Sequence, residues 1–150
     1  GNTDFTTEGI LDTTTTLGGA EAGAFDQAIT KTDPAMVMMS LATYQSIDPN
    51  NPAVFSSTII DGHIRNALKY TGVVISDSMS AEALSSYDVS QLGVKLVEAG
   101  GDMSCIGQTD YVKPIVDGLN ERAKSDPAFA SKVTAAATRV MTLKIKMGLA

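Results

Sequence analysis

The sequence predicts an α/β fold in which three parallel strands are flanked by helices. Three observations predict it. Short apolar runs without polar alternation occupy 35–41, 73–76 and 102–106, as in strands covered on both faces. Segments with helical spacing of apolar residues lie between and after them. Strands that alternate with helices at a repeat of roughly 30 to 40 residues imply βα units, hence a parallel sheet. Three such strands are also what the back part of an eight-stranded β/α (TIM) barrel supplies. A whole barrel needs roughly 250 residues, and this chain has 150.

The elements follow in order. Residues 1–19 are rich in Thr and Gly and read as a long loop, a type of segment that is often functional. A first helix is predicted over about 20–29. Asp33-Pro34 breaks the chain before the first strand, and Asp48-Pro49-Asn50-Asn51-Pro52 is a turn signal after it. Ser56 or Ser57 can cap the next helix, on which Ile59, Ile60, His63, Ile64, Ala67 and Leu68 share a face. Gly72 punctuates that helix before the second strand. Asp88 can cap a third helix through Val89, Leu92, Leu96 and Val97, closed by Gly100-Gly101. After the third strand a helix covers about 112–124. Asp126-Pro127 supplies an N-cap and first-turn proline for the last helix, whose predicted apolar stripe is Val133, Ala137, Val140, Leu143 and Met147. Lys144 and Lys146 sit where the helix dipole favours cations.

Composition bounds the function. The hydrophobic fraction of 43% suits a globular domain. A net charge of −6 argues against nucleic acid as a main partner, because phosphate binding needs clustered Lys and Arg. No apolar run reaches the roughly 20 residues of a membrane span. The single cysteine, Cys105, excludes an internal disulfide and reads as a buried core thiol. The seven methionines read as core filling rather than a ligand set, and neither metal-ligand spacing nor a glycine-rich phosphate loop is present. The Thr-rich, Lys-poor first half leans toward a secreted or cell-envelope location in a bacterium.

The residue that stands out is Asp77, at the end of Gly72-Val73-Val74-Ile75-Ser76-Asp77-Ser78-Met79. Parallel α/β proteins build their sites beyond the carboxyl ends of the strands. Asp77 therefore stands where a catalytic acid, base or nucleophile would stand, or else it caps the loop that follows. His63, the lone histidine, falls mid-helix at core spacing and reads as a partly buried helix residue.

The motif order resembles glycoside hydrolase family 3, in its β-N-acetylglucosaminidase branch. GNTDFTTEGILDTTTT resembles the loop after that family's Lys-His-Phe-Pro-Gly motif, and MVMMSLATYQSIDPNNPAVFSSTII its sixth strand and the start of its sixth helix. YTGVVISDSMSAEAL resembles the seventh strand with its Ser-Asp signature followed closely by Met79, LVEAGGDMSCI the approach to the eighth, and AATRVMTLKIKMGLA the closing helix. The resemblance makes residues 1–150 the part of the catalytic barrel from the loop after strand five to the final helix.

The resemblance implies a retaining hydrolase of terminal N-acetyl-β-D-glucosaminyl residues in cell-wall or chitin-type oligosaccharides, with no metal or organic cofactor. Asp77 would be the nucleophile and Met79 would pack beside the site and contact substrate. The branch carries its acid/base histidine in an Asp-x-His pair; here Asn2-Thr3-Asp4 stands instead, making Asp4 the candidate acid/base, with Glu8 and Asp12 behind it. Asp4 could equally be a loop aspartate bonded to local amides. Leu41 stands where the family often has a histidine. Sibling expectations are a β-glucosidase or β-xylosidase, a glycosyl transfer to phosphate, and a non-catalytic carbohydrate-binding relative. The strands with the family's Lys-His pair precede residue 1, so the chain is expected to work beside that front half of the barrel, and alone to self-associate.

Overall fold

The computed structural model describes residues 2–150, and Gly1 lies outside them. The main sheet has three parallel strands, β2 (Met36–Met39), β4 (Val73–Ser78) and β5 (Met103–Cys105), in the order β2-β4-β5. Spatial order equals chain order, with no reversal. That is the winding of a barrel segment, whereas a doubly wound sheet reverses direction at a switch point. A second, two-stranded parallel sheet pairs β1 (Leu11–Asp12) with β3 (Thr43–Tyr44). It corrects the reading of 1–19 as loop throughout. Two-residue strands are too short to show alternation, so nothing in the sequence marks them.

The helices are α1 (Ala20–Thr32), α2 (Val89–Glu98), α3 (Val112–Ser125) and α4 (Pro127–Lys146). The predicted caps form: Asp88 accepts from the Ser90 amide at 2.8 Å, and Asp126 from Ala128 and Phe129 at 2.9 and 3.1 Å. Helix α1 ends on Asp33 in the left-handed region at φ 44°.

The predicted helix after Ser57 is a π-helix, Thr58–Ala67. Its bonds run from Gly62 N–H to the Ser57 carbonyl and from Leu68 N–H to the His63 carbonyl, both 2.9 Å. Apolar residues at α spacing do not distinguish the two helices, and the wider turn explains why Ile59 and Ile64, five apart, are both buried while Ala67 is exposed. The cap is Ser56, whose buried hydroxyl accepts from the Ile59 amide at 3.2 Å.

Most of the core lies between the strands and the helices on one side of the sheet, built on Ile60, Val74, Leu92 and Leu96. Leu41, where a histidine was the family expectation, is part of this core. Phe129 packs against Val94 and Val97 in a smaller cluster that seats α4 on α2. The stripe of α4 is rotated from the predicted one: Phe129 and Ala136 are buried, Val133, Val140 and Leu143 half-buried, and Ala137 and Met147 exposed. The methionines also divide. Met39 and Met79 fill the core, but Met36, Met38, Met141 and Met147 are exposed, with Met38 at 59%. Met36 and Met38 lie on β2, which among the described residues pairs through one edge only. Cys105 is half-buried at the end of β5, where the sheet stops, rather than sealed in the core.

At the amino-terminal ends of β4 and β5, the Asp102 carboxylate is 0% exposed and shared between two arginines. One oxygen takes Arg65 Nη2 and, at 2.8 Å, the Val74 amide; the other takes Arg139 Nε at 2.8 Å. Arg65 also donates to the Gly72 carbonyl at 2.6 Å and to Gly100 at 3.2 Å. Burial lowers the Arg65 pKa, and the Asp102 charge opposes that shift.

Helices α2 and α3 approach closely through Gly118, where an added Cβ would lie 1.9 Å from the Ser90 carbonyl oxygen. Gly23 in α1 has open space around it. Gly118→Ala is therefore expected to destabilise the fold by about 2–3 kcal/mol through overpacking, and Gly23→Ala to stabilise it by about 0.5–1 kcal/mol through helix propensity. Urea midpoints of the two variants check the opposite signs.

Candidate functional site

The carboxyl end of β4 is irregular in a way that sets Asp77 apart. Ile75 is in register with Met103, but the next registered pair is Ser78 with Cys105. Three steps on β4 match two on β5, so β4 carries one extra residue, a β-bulge. Bulges bend a strand and re-aim a side chain, and they are over-represented beside active sites. Ser76 is fully buried, and its hydroxyl accepts from the Cys105 amide at 2.9 Å. Asp77 follows, half-buried, with one carboxylate oxygen accepting from the Ser78 amide at 2.7 Å. The ladder resumes where the Met79 amide donates to the Cys105 carbonyl at 2.8 Å.

The loop beyond is held to its neighbours. Ser78 and Ser80 hydroxyls are 3.1 Å apart, and Ser80 Oγ accepts from the Gly107 amide at 3.1 Å, which ties the loop after β4 to the loop after β5. Met79 is 1% exposed and belongs to the main core, so in this structure it supports the loop from beneath and presents no open surface.

The amino-terminal segment reaches the same end of the sheet. The Ala83 amide donates to the Thr3 carbonyl at 3.0 Å and the Glu82 amide to the Asp4 carbonyl at 3.4 Å. Asp4 thus lies on a segment bonded to the turn just past Asp77, with its side chain exposed. Glu8 is exposed on the same segment.

Asp12 is different. One oxygen accepts from the Thr14 and Thr15 amides at 2.8 and 2.7 Å, and the other from the Thr15 hydroxyl at 2.9 Å. These bonds, the Thr15 amide foremost, lower its pKa to about 2. A carboxyl that stays ionised to pH 2 cannot donate a proton near neutrality. Asp12 is a turn-forming residue that carries the chain out of β1.

His63 bonds Asp26 at 2.8 Å between the π-helix and α1, its side chain 16% exposed. This is the partly buried helix histidine that its spacing predicted. The pair lines a cavity of about 260 Å³ between α1, β2 and the π-helix, whose walls include Ile29, Val37, Met39 and Ile59. Among the described residues no group of three or more His, Cys, Asp or Glu could hold a metal ion, and no helix is long and apolar enough to cross a membrane.

Residues 6–143 match the glycosyl hydrolase family 3 N-terminal domain. The chain belongs to glycosyl hydrolase family 3. Its fold superposes on a β-N-acetylhexosaminidase from Beutenbergia cavernae with a TM-score of 0.88 at 35% identity, covering 96% of this chain and 43% of that protein. A family 3 β-N-acetylglucosaminidase from Paenibacillus superposes with a TM-score of 0.82 at 26% identity, over 93% of this chain and 27% of that one. An uncharacterised secreted glycosyl hydrolase of Arthroderma benhamiae is 36% identical over 69 residues, 45% of this chain and 20% of the relative. The chain therefore spans less than half of each of these relatives.

Within this family 3 domain, β2, β4 and β5 form a segment of the barrel sheet. The apolar run that ends on Asp77 marked its position at the carboxyl end of β4, where the structure has it. Sequence reasoning missed the bulge, because Ser76-Asp77-Ser78 has no register signature, and it missed the arginine pair on Asp102, whose partners lie 37 residues away on either side.

Asp12 gives a pH test. Its folded pKa of about 2 lies below the ordinary carboxylate range, so its contribution to stability is present above about pH 4 and is lost as pH falls through 2. The stability difference between wild type and Asp12→Asn is expected to hold from pH 7 to 5 and to shrink toward pH 2 in acid titrations of the urea midpoint.

Proposed function

We propose that this domain is part of a retaining glycosidase that removes terminal N-acetyl-β-D-glucosaminyl residues from cell-wall or chitin-type oligosaccharides. The observation that carries the reading is Asp77, a half-exposed carboxylate on a bulge at the carboxyl end of the central strand. The 35% identity to a β-N-acetylhexosaminidase supports the sugar class.

The chemistry asks for an ionised, rigidly held carboxylate aimed at an anomeric carbon. One Asp77 oxygen would bond to that carbon as the glycosidic C–O bond breaks. The leaving oxygen would take a proton from the acid/base. Water would then attack the same carbon, give its proton back to that group and release the carboxylate. The net reaction consumes one water. Asp4 is the candidate for the proton transfers, because its segment is bonded to the turn after Asp77.

Release of 4-nitrophenol from the N-acetyl-β-glucosaminide and the β-glucoside, by the full-length protein, tests both sugar and nucleophile. The N-acetyl substrate is expected to be preferred, and Asp77→Ala to lose about 10³-fold or more in kcat. A mechanism-based fluorosugar should label Asp77. Turnover that survives Asp77→Ala overturns the nucleophile, and preference for the β-glucoside overturns the sugar class. Reversible sugar binding without turnover would make the protein a carbohydrate-binding relative, and a requirement for phosphate would make it a phosphorylase.

We further propose that residues 1–150 operate only beside the rest of a barrel or through self-association. Exposed Met36 and Met38 on the single-paired strand β2, together with exposed Phe25 and Leu11, support this. Size-exclusion chromatography of this segment alone is expected to show oligomers. A stable, well-folded monomer would overturn the proposal.

A further inference from the structure

We infer that Ser76 is a positioning residue that sets the direction of the Asp77 carboxylate through the bulge in β4, an inference that rests on Asp77 being the nucleophile. In a regular parallel ladder the Cys105 amide would donate to a backbone carbonyl of β4. The extra residue in β4 moves the pairing, so that Cys105 is in register with Ser78. Within this distortion the Ser76 hydroxyl accepts from the Cys105 amide at 2.9 Å, and Ser76 is 0% exposed, so water has no access to substitute. The Ser76 side chain thus ties the bulge to β5.

The bonds on either side fix where the distortion falls. Before it, the Asp102 amide donates to the Val74 carbonyl at 2.8 Å; after it, the Met79 amide donates to the Cys105 carbonyl at 2.8 Å. Both anchors are short, so the slack is confined to 75–78, and Asp77 is inside it. Without the hydroxyl, the bulge loses its side-chain tie to β5, and β4 is free to shift against β5. Because side chains alternate with a period of two, a shift of one residue turns Asp77 toward the opposite face. Even a displacement of about 1 Å costs on the order of 10²-fold in rate when the reacting group must be aligned.

Ser76→Thr and Ser76→Val in the full-length protein isolate the hydroxyl, because the two side chains have nearly the same shape and share any cost of added volume. Ser76→Val is expected to fall about 10- to 100-fold below Ser76→Thr in kcat, with KM within about twofold. Labelling of Asp77 by the fluorosugar should slow in parallel, and the Cys105 amide should exchange with solvent faster in the Val variant. If neither variant accumulates as folded protein, Ser76→Ala, which adds no volume, carries the same comparison against wild type. Equal kcat with and without the hydroxyl, in a protein that Asp77→Ala inactivates, overturns the positioning role alone. Turnover that survives Asp77→Ala overturns the nucleophile and this inference together.

Discussion

The structure depends on one buried charge. Asp102 sits at the foot of β5 with no exposure, and removing water from a carboxylate is costly unless its lone pairs are filled. They are filled from three directions: Arg65 from the end of the π-helix, Arg139 from α4, and the Val74 amide from β4. Through Arg65 the network continues to the Gly72 and Gly100 carbonyls, the turns that feed β4 and β5. The π-helix, α4, β4 and the start of β5 are therefore all tied to one side chain. Taking away one member would leave charge buried without a partner, which typically costs about 3–5 kcal/mol.

That network and Asp77 occupy opposite ends of the same strands. In barrel enzymes the amino-terminal end serves stability and the carboxyl-terminal end serves chemistry. Here the division is visible in the polar groups themselves. At the foot, both Asp102 oxygens are saturated by cations and an amide. At the rim, the bonds are from backbone amides to hydroxyls (Cys105 to Ser76, Gly107 to Ser80) and between hydroxyls (Ser78 with Ser80). Neutral partners hold these loops, and among the described residues no ion pair involves Asp77. Asp12 and His63 are engaged locally, the first in its own turn and the second with Asp26.

The sequence was legible where a local rule decides the outcome. Apolar runs marked β2, β4 and β5, and Asp88 and Asp126 marked helix starts because a cap needs only its own next turn. It was illegible where distance or fine geometry decides. Ile59, Ile60 and Ile64 read alike in an α-helix and a π-helix. Leu11–Asp12 and Thr43–Tyr44 are too short to carry a pattern, and they pair only because the loops bearing them meet. Met38 looked like core because the run around it is apolar, but burial depends on what lies across the sheet edge, which the run does not encode. The strand-end position of Asp77 was legible, whereas the Ser76 hydroxyl behind it could be found only by tracing which atoms accept from the Cys105 amide.

The strand order also bears on how the chain acquires its shape. Because β2, β4 and β5 are neighbours in the order in which they are made, β4 finds its docking edge on β2, and β5 finds its own on β4. The loops that must close are single βα units, and their closure entropy stays modest. Growth can follow synthesis from the amino terminus, one unit at a time. Asp102 and Arg139 arrive late in that sequence, so the clamp at the foot of the sheet locks an arrangement whose strands have already met.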